Sequence, residues 1–222
     1  MSLLASFKKQ SKLDAAVRQT AQARKNEGPK ADQLFKSAYQ GFADVLQGDS
    51  LRAAALYNWG FSLLHQAKTK QGDEAIKLCE DCIDKFAFCM LIEPNYLAAA
   101  IDGGVAYMDL ARLKGVRADD ALYDLAKQQF ERANSIQAGT ASYNLACIYG
   151  LRGDSEACLM ALQNSRDKGS LPDAEDIFND PDLAGVVNRD WFIEFMDGLN
   201  NKTDESSTES ASKQAAVEEA AE

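Results

Sequence analysis

The stretch KLCEDCIDKFAFC, residues 77–89, carries Cys79, Cys82 and Cys89, the first two as C-x-x-C. Two thiols at that spacing can close a redox disulfide or supply half of a tetrahedral metal site. A structural zinc needs four ligands, commonly from two such pairs. This sequence has no second C-x-x-C and only one histidine, His65. A redox C-x-x-C opens a helix that follows a strand. Here the pair lies inside a run of helical apolar periodicity with no strand before it. The cysteines are therefore read as small apolar residues between packed helices, the role a free Cys often takes. No metal and no cofactor is expected.

The other candidates for chemistry are weaker. His65 has no partner nucleophile on a sharp turn, so no triad is expected. Gly103-Gly104 belongs to neither G-x-x-x-x-G-K-[ST] nor G-x-G-x-x-G, so no phosphate loop is expected. The carboxylates are spread as on solvated helix faces and suggest no acid–base pair. No catalytic residue is named, and the chain is expected not to be an enzyme.

What must position these residues is a set of helices. The chain has 222 residues, 46% apolar, with four prolines and a formal net charge of −10. Few prolines favour helix. Lys and Arg do not cluster, which argues against nucleic acid as a partner. No apolar window reaches membrane-spanning length, and the N-terminus lacks the core and cleavage site of a secretory signal. Leu3, Leu4 and Phe7 beside Lys8 and Lys9 could at most form a short amphipathic anchor. Five cysteines, an odd number, make no disulfide framework and suit a reducing, cytoplasmic location. The acidic tail, residues 200–222, has too little apolar surface to order itself.

Turn signals cut the rest at KNEGPKAD (25–32), QGDS (47–50), IEPN (92–95), QAGT (137–140), LRGDS (151–155), DKGSLPD (167–173) and NDPD (179–182). Between them helical periodicity dominates and no strand is read. Self-similarity then appears. Gly60 and Gly104 stand 44 residues apart, followed at equal offsets by Cys82, Phe86 and Cys89, and by Ala126, Phe130 and Ala133. Pro94 and Ala138 close the two units. Counting 44 residues back places Ala38 and Phe42 on an earlier second helix, whose partner would lie within 3–24.

This pattern resembles the tetratricopeptide repeat, a helix-turn-helix unit usually of 34 residues. Gly104 and Tyr107 match its first helix; Cys82, Phe86, Cys89 and Pro94 match its second. In the shorter third unit, Ala146 and Tyr149 match the first helix, and Ala157 and Ala161 are taken as the second-helix positions. Two units carry ten extra residues, in HQAKTKQGDEAIKL and ARLKGVRADDALYD, expected to lengthen their helices. AIKLCEDCIDKFAFCMLIEPN is similar to plant mitochondrial import receptors of the Tom20 type, although no counterpart of that family's membrane anchor is expected here. Asp180 is expected to cap a short helix with Pro181 in its first turn.

The resemblance implies an all-α, right-handed solenoid of antiparallel helix pairs closed by a C-terminal helical cap. The organisation expected is an N-terminal helix (1–30) that either caps the solenoid or fills its groove, then a helical domain over 31–199 with repeat units at about 53–94, 97–138 and 140–165 and short capping helices over 173–199. It also implies that first helices line a groove for a peptide or helix. The groove positions are Tyr57, Asn58, Phe61 and Leu64, then Ile101, Asp102, Val105 and Met108, then Tyr143, Asn144 and Cys147. Tyr57 and Ile101 stand where a carboxylate clamp needs a basic residue, so an apolar segment is the expected ligand. The leading reading is a non-enzymatic scaffold, adaptor or assembly factor binding through Tyr57, Asn58, Phe61, Leu64, Ile101, Met108, Tyr143 and Asn144. The alternatives are a homo-oligomeric structural protein and import-receptor-like recognition of targeting peptides.

Overall fold

The computed structural model describes residues 3–48 and 50–199. The expectation for the tail, and the side chains of Leu3 and Leu4, lie outside the described residues. The fold is all-α and tetratricopeptide-like, with no strand among the described residues.

The chain divides into two compact units, residues 1–141 and 142–222. The N-terminal unit is built from α1 (Leu3–Ala23), α2 (Gly28–Leu46), α3 (Arg52–Ala67), α4 (Gly72–Ile92), α5 (Leu97–Lys114) and α6 (Ala121–Ile136). Each helix packs on the next, in the pairs α1/α2, α3/α4 and α5/α6. Local chemistry sets the breaks. Pro29 sits in the first turn of α2, where its missing N–H costs nothing. Asp120 caps α6 by accepting the Leu122 N–H at 2.9 Å. Gly115 ends α5 in the left-handed conformation, φ 63°, which a side chain would resist. Pro94 lies between α4 and α5, neither of which runs through it.

The 44-residue register extends over all three pairs. Ala16, Gly60 and Gly104 occupy one position, and Phe42, Phe86 and Phe130 another, each Phe almost fully buried. Ala38, Cys82 and Ala126 form a third, and Val45, Cys89 and Ala133 a fourth. Burial of each Phe contributes about 1.5–3 kcal/mol to holding its pair of helices together. The helix within 3–24 expected as the partner of the earlier second helix is α1 (Leu3–Ala23), which packs on α2. The extra length of these units lies in helices of 16 to 21 residues, against 11 and 13 for the C-terminal pair. It also lies in the 115–120 loop.

The C-terminal unit holds α7 (Ser142–Arg152), α8 (Ser155–Asp167), α9 (Ala174–Phe178), a 3-10 turn at Pro181–Leu183 and a helical stretch over 190–199. Its core joins Ala146, Cys158, Leu162, Ile177, Leu183 and Phe192. Here one expectation is corrected. Ala157 and Ala161 are only half-buried, while Cys158 and Leu162 are fully buried. The second-helix register is one residue on: the buried positions of α8 are Cys158, Leu162 and Ser165, spaced four and three residues apart on one face. The Cys158 Sγ donates to the Ala146 carbonyl at 3.3 Å. Asp180 caps the 3-10 turn as expected, accepting the Asp182 N–H at 2.9 Å, with Pro181 in the first turn.

Candidate peptide-binding face

The cysteines decide whether the site is chemical. Cys79, Cys82 and Cys89 lie within α4, all buried and free. The Cys82 Sγ donates to the Cys79 carbonyl at 3.0 Å, so the two side chains sit on successive turns of helix. Burial pushes the Cys79 thiol up to about 11 and the Cys89 thiol up to about 12, and raises Cys82 further. A thiol that stays protonated is a poor nucleophile and a poor ligand.

A different trio approaches a donor set. Cys147, Asp180 and Asp182 place one ligand atom each within 4.8 Å of one another. Both Asp180 oxygens are already used. One takes the Asp182 N–H and the other accepts the Tyr143 hydroxyl at 2.7 Å, with the Cys147 thiol 3.6 Å away. The arrangement is that of a helix cap locked by a half-buried tyrosine. Burial, then the neighbouring Asp180, raises the Cys147 thiol. Tyr143 thus spends its hydroxyl inside the C-terminal unit, beside half-buried Asn144.

In the N-terminal unit the first helices α1, α3 and α5 lie side by side. The Thr20 hydroxyl is 3.1 Å from that of Ser62, linking α1 to α3. The Tyr57 hydroxyl donates to Asp102 at 3.1 Å, linking α3 to α5. Tyr57 anchors an aromatic group, its ring 5.0 Å from that of Tyr96, 6.0 Å from Phe86 and 6.2 Å from Phe61. Phe61 in turn meets His65 edge-on at 4.4 Å, and the Arg24 guanidinium lies 5.3 Å above its ring.

The expected groove residues separate by exposure. Tyr57, Asn58, Phe61, Ile101, Asp102 and Val105 are half-buried and offer surface. Leu64 and Met108 are only 3% and 4% exposed. They support the face from beneath, and a ligand resting on it would not reach them. Asn58 uses one N–H on the Ala54 carbonyl at 2.8 Å, which leaves its carbonyl oxygen and second N–H for a partner.

The electrostatics follow from burial and nearby charge. Burial raises the Asp102 carboxyl, and the hydrogen bond from Tyr57 opposes part of that rise. Burial, helped by the cations Arg24 and Lys68, lowers His65 to about 4, so its imidazole is neutral near pH 7. The sequence reading missed Val17, Arg24 and Tyr96. Counting 44 residues back from Phe61 and Lys68 would have found the first two.

No helix among the described residues is long and apolar enough to cross a membrane. A comparison with curated proteins finds none that matches this chain. A scan against family models finds one, described as plant specific mitochondrial import receptor subunit TOM20, over residues 17–149. That span is more than half of the chain and includes α2 to α6 whole. This protein therefore belongs to the plant-type Tom20 family, whose members are non-enzymatic receptors.

Proposed function

We propose that the chain is a protein-binding receptor or adaptor that holds an amphipathic helix of a partner against the face formed by α1, α3 and α5. The observation that carries this reading is the row Val17, Phe61 and Val105. These apolar side chains recur at one repeat position and keep part of their surface, while Thr20, Leu64 and Met108 three residues on are buried. A solenoid packed only for stability has no need of an apolar row at its surface; a helix-binding groove does. The family's role in mitochondrial import supports a targeting segment as the partner. Five buried free thiols suit a reducing compartment such as the cytosol.

The test is Phe61→Ala, measured for both stability and affinity toward a synthetic mitochondrial targeting peptide. An anchor residue loses about 1–3 kcal/mol of binding on truncation. A lowered melting temperature with unchanged affinity of the folded fraction would overturn the reading, since Phe61 would then be packing only.

A further inference from the structure

The C-terminal unit carries an apolar groove of its own. It holds about 370 Å³ and is lined by α9 and by the helical stretch over 190–199. That volume falls within the ~300–1,000 Å³ of ligand pockets. Its floor belongs to the core: Phe192 and Met196 are buried, with half-buried Val187 beside them. Its walls do not. Phe178 on α9 is 59% exposed and Ile193 on the 190–199 stretch is 48% exposed, although each directly follows a fully buried residue, Ile177 or Phe192. Two bulky apolar side chains thus border one groove and stay in water, which is the mark of a surface that something covers.

Each wall also bears an exposed carboxylate. Glu175 stands three residues before Phe178, and Asp197 four residues after Ile193, spacings that make neighbours on a helix surface. Residues 173–199 hold eight Asp or Glu against one base, Arg189, so the rim has one sign. Arg166, which lies over the Phe195 ring, pairs with Asp167 at 3.0 Å. The sign selects the occupant. The tail starts at residue 200, directly after this wall, but it carries six Asp or Glu against two lysines and is repelled by the rim. The same groove of a second copy would meet it with the same charge. A basic segment is attracted.

We propose that this groove is a second docking site, which takes one bulky apolar side chain of a basic amphipathic segment between Phe178 and Ile193 while Lys or Arg residues of that segment reach Glu175 and Asp197. The site lies beyond residues 17–149, over which the family model matches, and needs nothing from the face formed by α1, α3 and α5. Its ligand is of the class the face is proposed to hold, since targeting segments are amphipathic, Arg-rich and poor in acids.

The experiment uses the full chain and a synthetic amphipathic helix with Arg on its polar face and a photoreactive benzophenone in its Leu stripe, beside a twin with Glu in place of Arg. Linked residues are mapped by mass spectrometry across a titration. The Arg peptide links to residues 174–197 at a lower half-maximal concentration than the twin, and the gap closes at about 1 M salt, where screening acts over ~3 Å. Glu175→Gln with Asp197→Gln raises that concentration about two- to fivefold, as exposed pairs do. Phe178→Ala raises it at least about fivefold, as an anchor does. Its exposed side chain leaves the melting temperature nearly unchanged. No link within 174–197, equal linking by the twins, or full linking by the Phe178→Ala variant overturns the proposal. Links to α3 are read in the same sample: their absence alone overturns the proposed face and leaves the groove standing. Carbodiimide coupling of mixed isotope-labelled and unlabelled chains, without peptide, tests the other occupants. A link from Glu175 or Asp197 to Lys8 or Lys9 of the same chain assigns the groove to the chain's own N-terminus, a link between chains assigns it to a second copy, and either result overturns the partner inference.

Discussion

The ring of Phe86 fills the space where a side chain on Gly60 would begin: its nearest atom lies 2.8 Å from the point a Cβ would occupy. Phe130 stands in the same relation to Gly104, one repeat later, and closer still. Both rings are almost fully buried and cannot swing aside into solvent. The glycines are therefore sites of close approach between paired helices.

Gly60→Ala and Gly104→Ala should each destabilise the chain by about 1–3 kcal/mol through overpacking. The adjacent Gly103 is a built-in control. Its Cβ would meet nothing nearer than 3.8 Å. Gly103→Ala should stabilise by about 0.5–1 kcal/mol, from helix propensity alone. Urea unfolding of the three variants measures the contrast, and equal losses for Gly103 and Gly104 would remove the close-approach argument.

His65 makes stability depend on pH. Its folded value of about 4 lies below the ordinary 6.5 of an unfolded chain. Between these values the unfolded state binds the proton and the folded state does not, so stability falls as pH drops from about 6.5 to about 4. Above that window this residue contributes no slope. His65→Gln should flatten the decline, read as melting temperature against pH.

The α4 thiols should behave as core atoms. Cys82→Ala should cost about 1 kcal/mol for a small loss of buried volume. Cys82→Leu should cost more, because the position has no spare room. Thiol titration with an aromatic disulfide should find Cys79, Cys82 and Cys89 unreactive in the folded chain and reactive in denaturant. Stoichiometric zinc or iron retained on those three thiols through purification would refute the packing assignment.

The corrected register of α8 separates two neighbours. Leu162→Ala should cost about 2–5 kcal/mol as a core truncation. Ala161→Ser, on a half-buried flank, should stay within about 0.5 kcal/mol. Melting curves of the two variants decide; the reverse order would restore Ala161 as the packed position.

The sequence by itself determined the helical class, the 44-residue repeat and the packing role of the C-x-x-C. These are legible because a helix face repeats every few residues and a repeat preserves its offsets. The equal offsets of Phe86 from Gly60 and of Phe130 from Gly104 show the repeat by spacing alone; their contact is seen only in the structure. The partner of α2 was legible only as a range, 3–24, without its packed positions. Three of its buried residues, Ala16, Thr20 and Ala23, are small or polar and give almost no apolar signal. The placing of Leu64 and Met108 beneath the face, and of Phe61 and Val105 upon it, was decided only by the tertiary structure. Periodicity tells which side of a helix is apolar. How much of that side stays open depends on the helices beside it, as with Arg24 of one unit covering Phe61 of the next.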